Sequence, residues 1–367
     1  MRIGINTRHL LPNKLEGFGQ YTLEIVSRLI KNHPEHEFVL FFDREKDAQF
    51  DFGSRVTTVV LSPAARHPIL YLIWFEILLP RALKKHKIDL FFSPDGYASL
   101  RSSVQQIIVI HDINFEHNPK DLPSILGKYL RSFFPKFAKK AAKIITVSEY
   151  SKQDIAKSYQ IDPSKIEVIY NAANSNYKPI SQEEQVLVKQ QFTEGADFLL
   201  FVGSLHPRKN IQRLISAFEL IHKEHPELKL LIVGANMWRG SSLALDPEIK
   251  NHVHFTGHLN QELLTTVMAS ALMLTYVPYF EGFGIPMVEA MNCGIVVLAS
   301  RATCLPEIAG DAAYLVDPFD INDIAKGINR LIEDEGLRTE FSKKGLQRST
   351  YFSWDKAAEE VAKVLGL

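Results

Sequence analysis

Short apolar or β-branched runs alternate with longer stretches of helical period along most of the chain, a pattern that predicts parallel sheets joined by crossover helices. In the first half the runs predict strands at 2–6, 38–42, 56–61, 90–93, 106–111, 143–147 and 167–170. Helical spacing between them predicts helices near 20–31, 69–86, 124–140 and 149–158. The alternation breaks from 171 to 196, where Asn171, Asn174, Asn176, Pro179 and a Gln/Glu-rich stretch predict an interdomain connection followed by a surface helix. A second series follows, with strands at 198–202, 229–233, 253–255, 273–276, 295–299 and 313–316 and helices near 211–224, 262–270, 286–291 and 321–333. Each half therefore reads as a doubly wound α/β domain, whose ligands sit at the carboxyl ends of the strands. Two such domains facing each other enclose a cleft.

Length agrees with this division, since 367 residues exceed a single core at about 150 residues per domain. Lys plus Arg and Asp plus Glu are 42 each, which excludes a polyanion binder working by bulk charge, and no nucleic-acid partner is expected. Cys293 and Cys304 have no partners at metal-ligand spacing and suit a reducing, cytoplasmic setting. The opening residues read as a strand rather than an export signal. The stretch 68–80 is short for a membrane span and carries Glu76. Basic clusters at Arg81, Lys84, Lys85 and Lys87 and at Lys136, Lys139, Lys140 and Lys143 fit the solvated faces of two amphipathic helices. Peripheral contact with anionic lipid is the alternative.

Four strand-to-loop junctions carry candidate chemistry. Gly17 and Gly19 flank Phe18 ahead of a helix, where backbone N–H groups can approach a phosphate or simply form a loop. The loop from Gly203 to Asn210 holds Arg208 and Lys209, a fork and a point charge suited to a diphosphate, with Asn210 placed to cap the next helix. Glu281 and Glu289 stand on either side of Gly282-Phe283-Gly284-Ile285-Pro286, which puts one carboxylate in a loop and the other in a helix, beside apolar residues that demand a partner for it. His111-Asp112 follow an apolar run at an address favoured for catalysis, with Asp112 either fixing the imidazole tautomer or capping a turn.

Taken together these residues resemble glycosyltransferase family 4, the retaining group with the GT-B fold. The likeness is most specific over Glu281-Gly-Phe-Gly-Ile-Pro-Met-Val-Glu289-Ala-Met-Asn-Cys-Gly294, which is similar to the family's pair of glutamates separated by seven residues. It implies an α/β fold of two Rossmann-like doubly wound domains facing across a cleft. The first, 1–176, would be the acceptor side, the second, 177–352, would bind the nucleotide sugar, and a last helix at 353–367 would cross back to the first. It assigns the phosphate-binding lysine to Lys209, the base-reading backbone to Leu259, donor contacts to Gly17, Gly19, Phe283 and Gly284, and the ribose to Glu289. His111 would line the sugar and Glu281 would hold its hydroxyls. The family's usual arginine falls on Ser204, and Arg208 is the charge nearby.

The resemblance implies transfer with retention, the leaving phosphate taking the acceptor proton, with no metal and no cofactor beyond the nucleotide-sugar substrate. Its mannosyltransferase-like branch points to GDP-mannose as donor, a glycan or lipid-linked acceptor, and surface polysaccharide synthesis. The alternatives are a UDP-sugar-dependent transferase and an epimerase of the same architecture. A non-enzymatic sugar-binding protein ranks behind them, because it would normally carry an export signal.

Overall fold

In the computed structural model, which describes residues 1–12, 15, 17–234 and 243–367, the chain forms two compact units. One comprises Met1–Asn171 with Trp354–Leu367, the other Ala172–Ser353. Residues 172–176, given to the first domain on sequence grounds, group with the second unit.

The first unit carries seven parallel strands: β1 (Arg2–Asn6), β2 (Glu37–Phe42), β3 (Thr57–Val60), β4 (Leu90–Ser93), β5 (Gln105–Val109), β6 (Lys143–Thr146) and β7 (Ile166–Val168). Their order is β3-β2-β1-β4-β5-β6-β7. The second unit has β8 (Phe198–Val202), β9 (Lys229–Val233), β10 (Val253–Gly257), β11 (Met273–Tyr276), β12 (Val296–Ser300) and β13 (Tyr314–Val316), ordered β10-β9-β8-β11-β12-β13 and again parallel. Strand order reverses between β1 and β4 in one sheet and between β8 and β11 in the other, which marks the ligand-binding crevice of each.

The central strands are apolar on both faces because helices cover both sides. All of β8, Phe198 to Val202, is buried, as are Phe91 and Phe92 of β4. One expected helix, 69–86, is instead a composite of Pro68–Ile73, a π-helical turn at Trp74–Leu78 and Leu79–Lys85. Trp74 and Phe75 lie fully buried in it. Glu76, the carboxylate inside this apolar stretch, accepts hydrogen bonds from the backbone N–H groups of Leu100 (2.9 Å) and Arg101 (3.0 Å). Its charge thus serves a neighbouring loop. No helix among the described residues is long and apolar enough to cross a membrane.

The last helix, Trp354–Leu365, packs on helix Gly17–Asn32 of the first unit. Trp354 meets Tyr21 edge-on at 6.0 Å, and Asp355 pairs with Arg28 at 2.6 Å. The helix Glu335–Ser349 was not foreseen, because its apolar residues are too sparse to mark a face.

Glu76→Ala leaves two loop N–H groups without their acceptor, and the expected loss is about 1–3 kcal/mol of stability. Urea denaturation measures it, and Glu76→Gln, which keeps one acceptor oxygen, should fall between the variant and the parent.

Candidate functional site

In the second unit the loop after β8 and the loop after β11 meet at the point where the strand order reverses. Lys209, only 8% exposed, and Glu281, 6% exposed, form a close ion pair there. Lys209 Nζ also lies 2.8 Å from Tyr276 Oη, at the end of β11. Arg208 reaches the other oxygen of the same carboxylate at 3.1 Å and donates to the Phe280 carbonyl at 3.2 Å. Burial opposes ionisation of Glu281. The two cations, with hydrogen bonds from Lys209 and Tyr276, outweigh it and hold the carboxyl below its ordinary pKa. Tyr276 moves the opposite way, because burial and the neighbouring carboxylate keep its phenol protonated.

The backbone around this pair is fixed from several sides. Glu281 N–H donates to Thr303 Oγ1 at 3.2 Å, and Cys304 Sγ lies 3.2 Å from the Glu281 carbonyl. Thr303 adopts a left-handed φ of 56°, an unusual position for a β-branched residue. Gly284 has φ 93°, and a Cβ there would stand 2.6 Å from Leu305 Cδ2, so glycine is required before helix Ile285–Asn292. Asn210 precedes helix Ile211–His222 in the left-handed region but does not cap it. Its side-chain amide donates instead to the carbonyls of Val277 (2.9 Å) and Pro318 (2.7 Å), tying the basic loop to the exit of β11.

Three neighbouring strands end in glycine here: Gly203 after β8, Gly234 after β9 and Gly257 in β10. Gly203 N–H donates to Val233 O and Gly234 N–H to Gly257 O, both at 2.9 Å. A Cβ on Gly234 would sit 1.8 Å from Gly203 O, so the strand ends form a shelf without side chains at that point. Leu259 follows this shelf in the connection to helix Gln261–Ser270, half-buried. Phe283 is buried and meets Phe352 edge-on at 5.5 Å.

Glu289 is apart from the pair, on helix Ile285–Asn292, with Tyr177 as its partner. Burial of its carboxyl pushes the pKa up to about 7 against the hydrogen bond from Tyr177. The same carboxyl, after burial, raises the Cys293 thiol up to about 12.

The first unit gathers the other candidates. His111 lies just beyond β5 rather than within the strand, which ends at Val109. Its Nε2 stands 2.8 Å from the Pro94 carbonyl, which requires an N–H on that nitrogen. Burial lowers its pKa, against that hydrogen bond and the charges of Asp112 and Asp95. Asp112 caps a turn by accepting from Asn114 N–H at 3.0 Å, and the Pro94 carbonyl fixes the tautomer. Gly17 and Gly19 are inside the helix expected to begin at Gln20. Gly17 has open space around it, whereas a Cβ on Gly19 would lie 2.7 Å from the His9 carbonyl oxygen.

The sequence reading missed a buried network at this reversal point. Arg8 Nε donates to Asp95 at 2.6 Å, and its guanidinium lies over the rings of Tyr97 (4.2 Å), Tyr71 (5.1 Å) and Phe75 (5.4 Å). Asp95 also accepts from Asn6 (2.9 Å) and Ser93 (3.0 Å) and faces His9 Nε2 at 3.3 Å. Polar residues directly after the buried strands β1 and β4 were the available signal. The structure thus brings Arg208, Lys209 and Glu281 together, with Gly284 adjoining them in the loop, and separately sets His111 against Phe18 and Tyr21.

Residues 182–348 match the glycosyl transferases group 1 family, and residues 15–177 match glycosyltransferase family 4. The chain is 28% identical to the O-antigen chain mannosyltransferase B of Escherichia coli over 94% of each chain. It is 30% identical to the O-antigen chain mannosyltransferase RfbU of Salmonella typhimurium over 59% of this chain and 57% of that one. Among solved structures it resembles WaaG, a glycosyltransferase involved in lipopolysaccharide biosynthesis, with a TM-score of 0.79 and 17% identity over 99% of both chains. It also resembles Anabaena HepE in complex with UDP and glucose, with a TM-score of 0.80 and 19% identity over 100% of this chain and 99% of that one.

Glu281 serves two cations, whereas loss of Lys209 leaves it Arg208. Glu281→Gln should therefore destabilise the fold more than Lys209→Met, the loss of a buried ion-pair partner costing about 3–5 kcal/mol. Chemical denaturation ranks the two, and the reverse order contradicts this reading of the pair.

Glu289 has its pKa raised above the ordinary carboxyl value of 4.5, so the folded chain holds its proton longer than the unfolded one. Stability should fall as pH rises from about 4.5 to about 7 and then level off. Melting temperatures of Glu289→Gln minus those of the parent should accordingly increase across that window. A flat difference would remove Glu289 as the titrating group.

Proposed function

From a chain that belongs to glycosyltransferase family 4 and has the GT-B fold of two parallel-sheet domains, we infer a transferase that moves a sugar from a nucleotide diphosphate, GDP-mannose in our reading, onto a glycan or lipid-linked acceptor of a surface polysaccharide. The observation that carries this reading is the Arg208–Glu281–Lys209 cluster at the strand reversal of the second unit. Ligands of such sheets bind at that point. As the glycosidic bond breaks, the diphosphate gains negative charge, and two cations already oriented by Glu281 meet it without rearrangement of solvent.

The remaining roles are those that the family resemblance implies. Carboxylate oxygens of Glu281 retain lone pairs for sugar hydroxyls beyond those used by Lys209 and Arg208. Glu289 accepts hydrogen bonds from the ribose. Gly203, Gly234 and Gly257 let a flat base approach the backbone near Leu259. With the charge of the leaving group met by Arg208, Lys209 and the helix start after Gly284, we propose that transfer needs no metal and no separate cofactor. The departing phosphate takes the acceptor proton on the face it leaves, so the anomeric configuration is retained, and His111 lines the sugar. The mannose assignment is supported by the likeness to an O-antigen chain mannosyltransferase over 94% of this chain. The basic clusters keep their reading as solvated helix faces, with peripheral lipid contact as the alternative, and liposome flotation decides between the two.

A thermal-shift comparison at equal concentration should show GDP stabilising more than UDP, since the shift follows the logarithm of ligand over dissociation constant. A larger shift with UDP replaces GDP-mannose by a UDP-sugar. With the matching donor, turnover should persist in excess EDTA and yield a product of the donor's anomeric configuration. Lys209→Met should lower the rate a hundredfold or more, about 2.7–4 kcal/mol of transition-state stabilisation. Loss of activity on chelation, an inverted product or near-parental turnover in the variant would each contradict the mechanism.

A further inference from the structure

The turn between helix Gly17–Asn32 and β2 gathers ligating side chains that the proposed mechanism does not use. Its sequence is His33-Pro34-Glu35-His36. His33 N–H extends the helix by donating to Leu29 O at 3.0 Å, and His36 N–H closes the turn on His33 O at 3.2 Å. Pro34 fixes φ between them. Glu37 N–H then donates to Met1 O at 3.0 Å as β2 begins. The backbone beneath the three side chains is thus set before any ligand arrives.

Glu35 Oε1 lies 3.5 Å from His33 Nδ1 and 3.4 Å from His36 Nε2. The ligand atoms of all three residues fall within 4.8 Å of one another, which no other set of three His, Cys, Asp or Glu side chains achieves among the described residues. A zinc ion about 2.0–2.1 Å from each of two tetrahedral ligands holds them about 3.3–3.4 Å apart. Both nitrogens already stand close to that separation from the carboxylate. The histidine side chains are partly covered, 23% and 17% exposed, whereas Glu35 at 60% leaves the cluster open to solvent. Glu37, the next carboxylate along, is taken by Arg2 at 2.9 Å.

Two further features favour a cation. The last carbonyls of helix Gly17–Asn32 carry the negative end of its dipole toward this turn. The other nitrogen of His36, Nδ1, stands 3.0 Å from the Met1 amino nitrogen, a contact that orients the ring with Nε2 toward Glu35. Two imidazoles and one carboxylate suit zinc, whereas magnesium and calcium take oxygen ligands.

We propose that His33, Glu35 and His36 bind one zinc ion, a water or an outside ligand completing the tetrahedron, and that the ion fastens the end of helix Gly17–Asn32 to the start of β2. The cluster is at the amino ends of β1 and β2, while the crevice of such a sheet is at the carboxyl ends. The ion therefore serves stability. The inference is independent of the transferase reading, and transfer without a metal at the second unit is compatible with it.

The test uses the full chain without an affinity tag, stripped with EDTA and dialysed. ZnCl2 is titrated in competition with a chromophoric chelator, and melting temperatures are measured with ZnCl2 and with MgCl2. The parent should take up one equivalent of zinc and melt higher with it, but not with magnesium. His33→Ala, His36→Ala and the exposed Glu35→Gln should each weaken zinc by roughly tenfold or more. Glu35→Gln guards against misfolding, since its metal-free melting temperature should stay near the parent's. His252→Ala removes one of the two histidines whose rings lie 4.2 Å apart in the second unit, and zinc binding should survive it. The proposal is overturned if the parent takes up no zinc, if Glu35→Gln and His36→Ala bind it as the parent does, or if His252→Ala abolishes binding. Zinc uptake that leaves the parent's melting temperature unchanged would overturn the fastening role.

Discussion

A charged side chain inside a sheet protein must be paired, and both units obey this at the same topological place. Where strand order reverses, Arg8 after β1 meets Asp95 after β4, and Lys209 after β8 meets Glu281 after β11. The removal of either charge from water costs several kcal/mol, which only a close partner with further hydrogen bonds offsets. Each pair therefore dictates how the loops around it run. In the first unit Asn6, Ser93 and His9 gather on Asp95. In the second, Tyr276 joins Lys209, and Thr303 and Cys304 bind the Glu281 backbone.

The two pairs differ in what surrounds them, and this separates their uses. Arg8 is enclosed by aromatic rings, so its charge is spent on holding the strand ends together. Arg208 keeps a quarter of its side chain exposed while it shares Glu281 with Lys209. Thus the second pair leaves a cation partly open to solvent, whereas the first is closed over by rings.

Much of this was legible in the sequence. The apolar runs give nearly every strand because parallel strands buried on both faces leave an unbroken signal, as in Phe198–Val202. Arg208, Lys209 and Glu281 were visible as charges in loops after strands, and Glu289 as a carboxylate among apolar helix residues. Their mutual geometry was not, since Lys209 and Glu281 are far apart in the chain and meet only through the sheet. The same holds for Arg8 and Asp95. Asn210 reads as a helix cap by residue type, yet its amide serves carbonyls brought in by other strands. Thr303 carries no signal at all, because a left-handed threonine is imposed by the fold around it.

The return of Trp354–Leu365 to the first unit has a consequence for the order in which the protein can be made. Chains emerge from the ribosome from the amino end and generally fold domain by domain. Here Ala172–Ser353 is continuous and can close as soon as it has emerged, but the sheet that precedes it lacks the helix that covers Tyr21. Until translation reaches Trp354, the half synthesised first is the half left incomplete. The earlier domain waits for the later one, and the apolar surface around Tyr21 is the part a nascent-chain chaperone would have to shield.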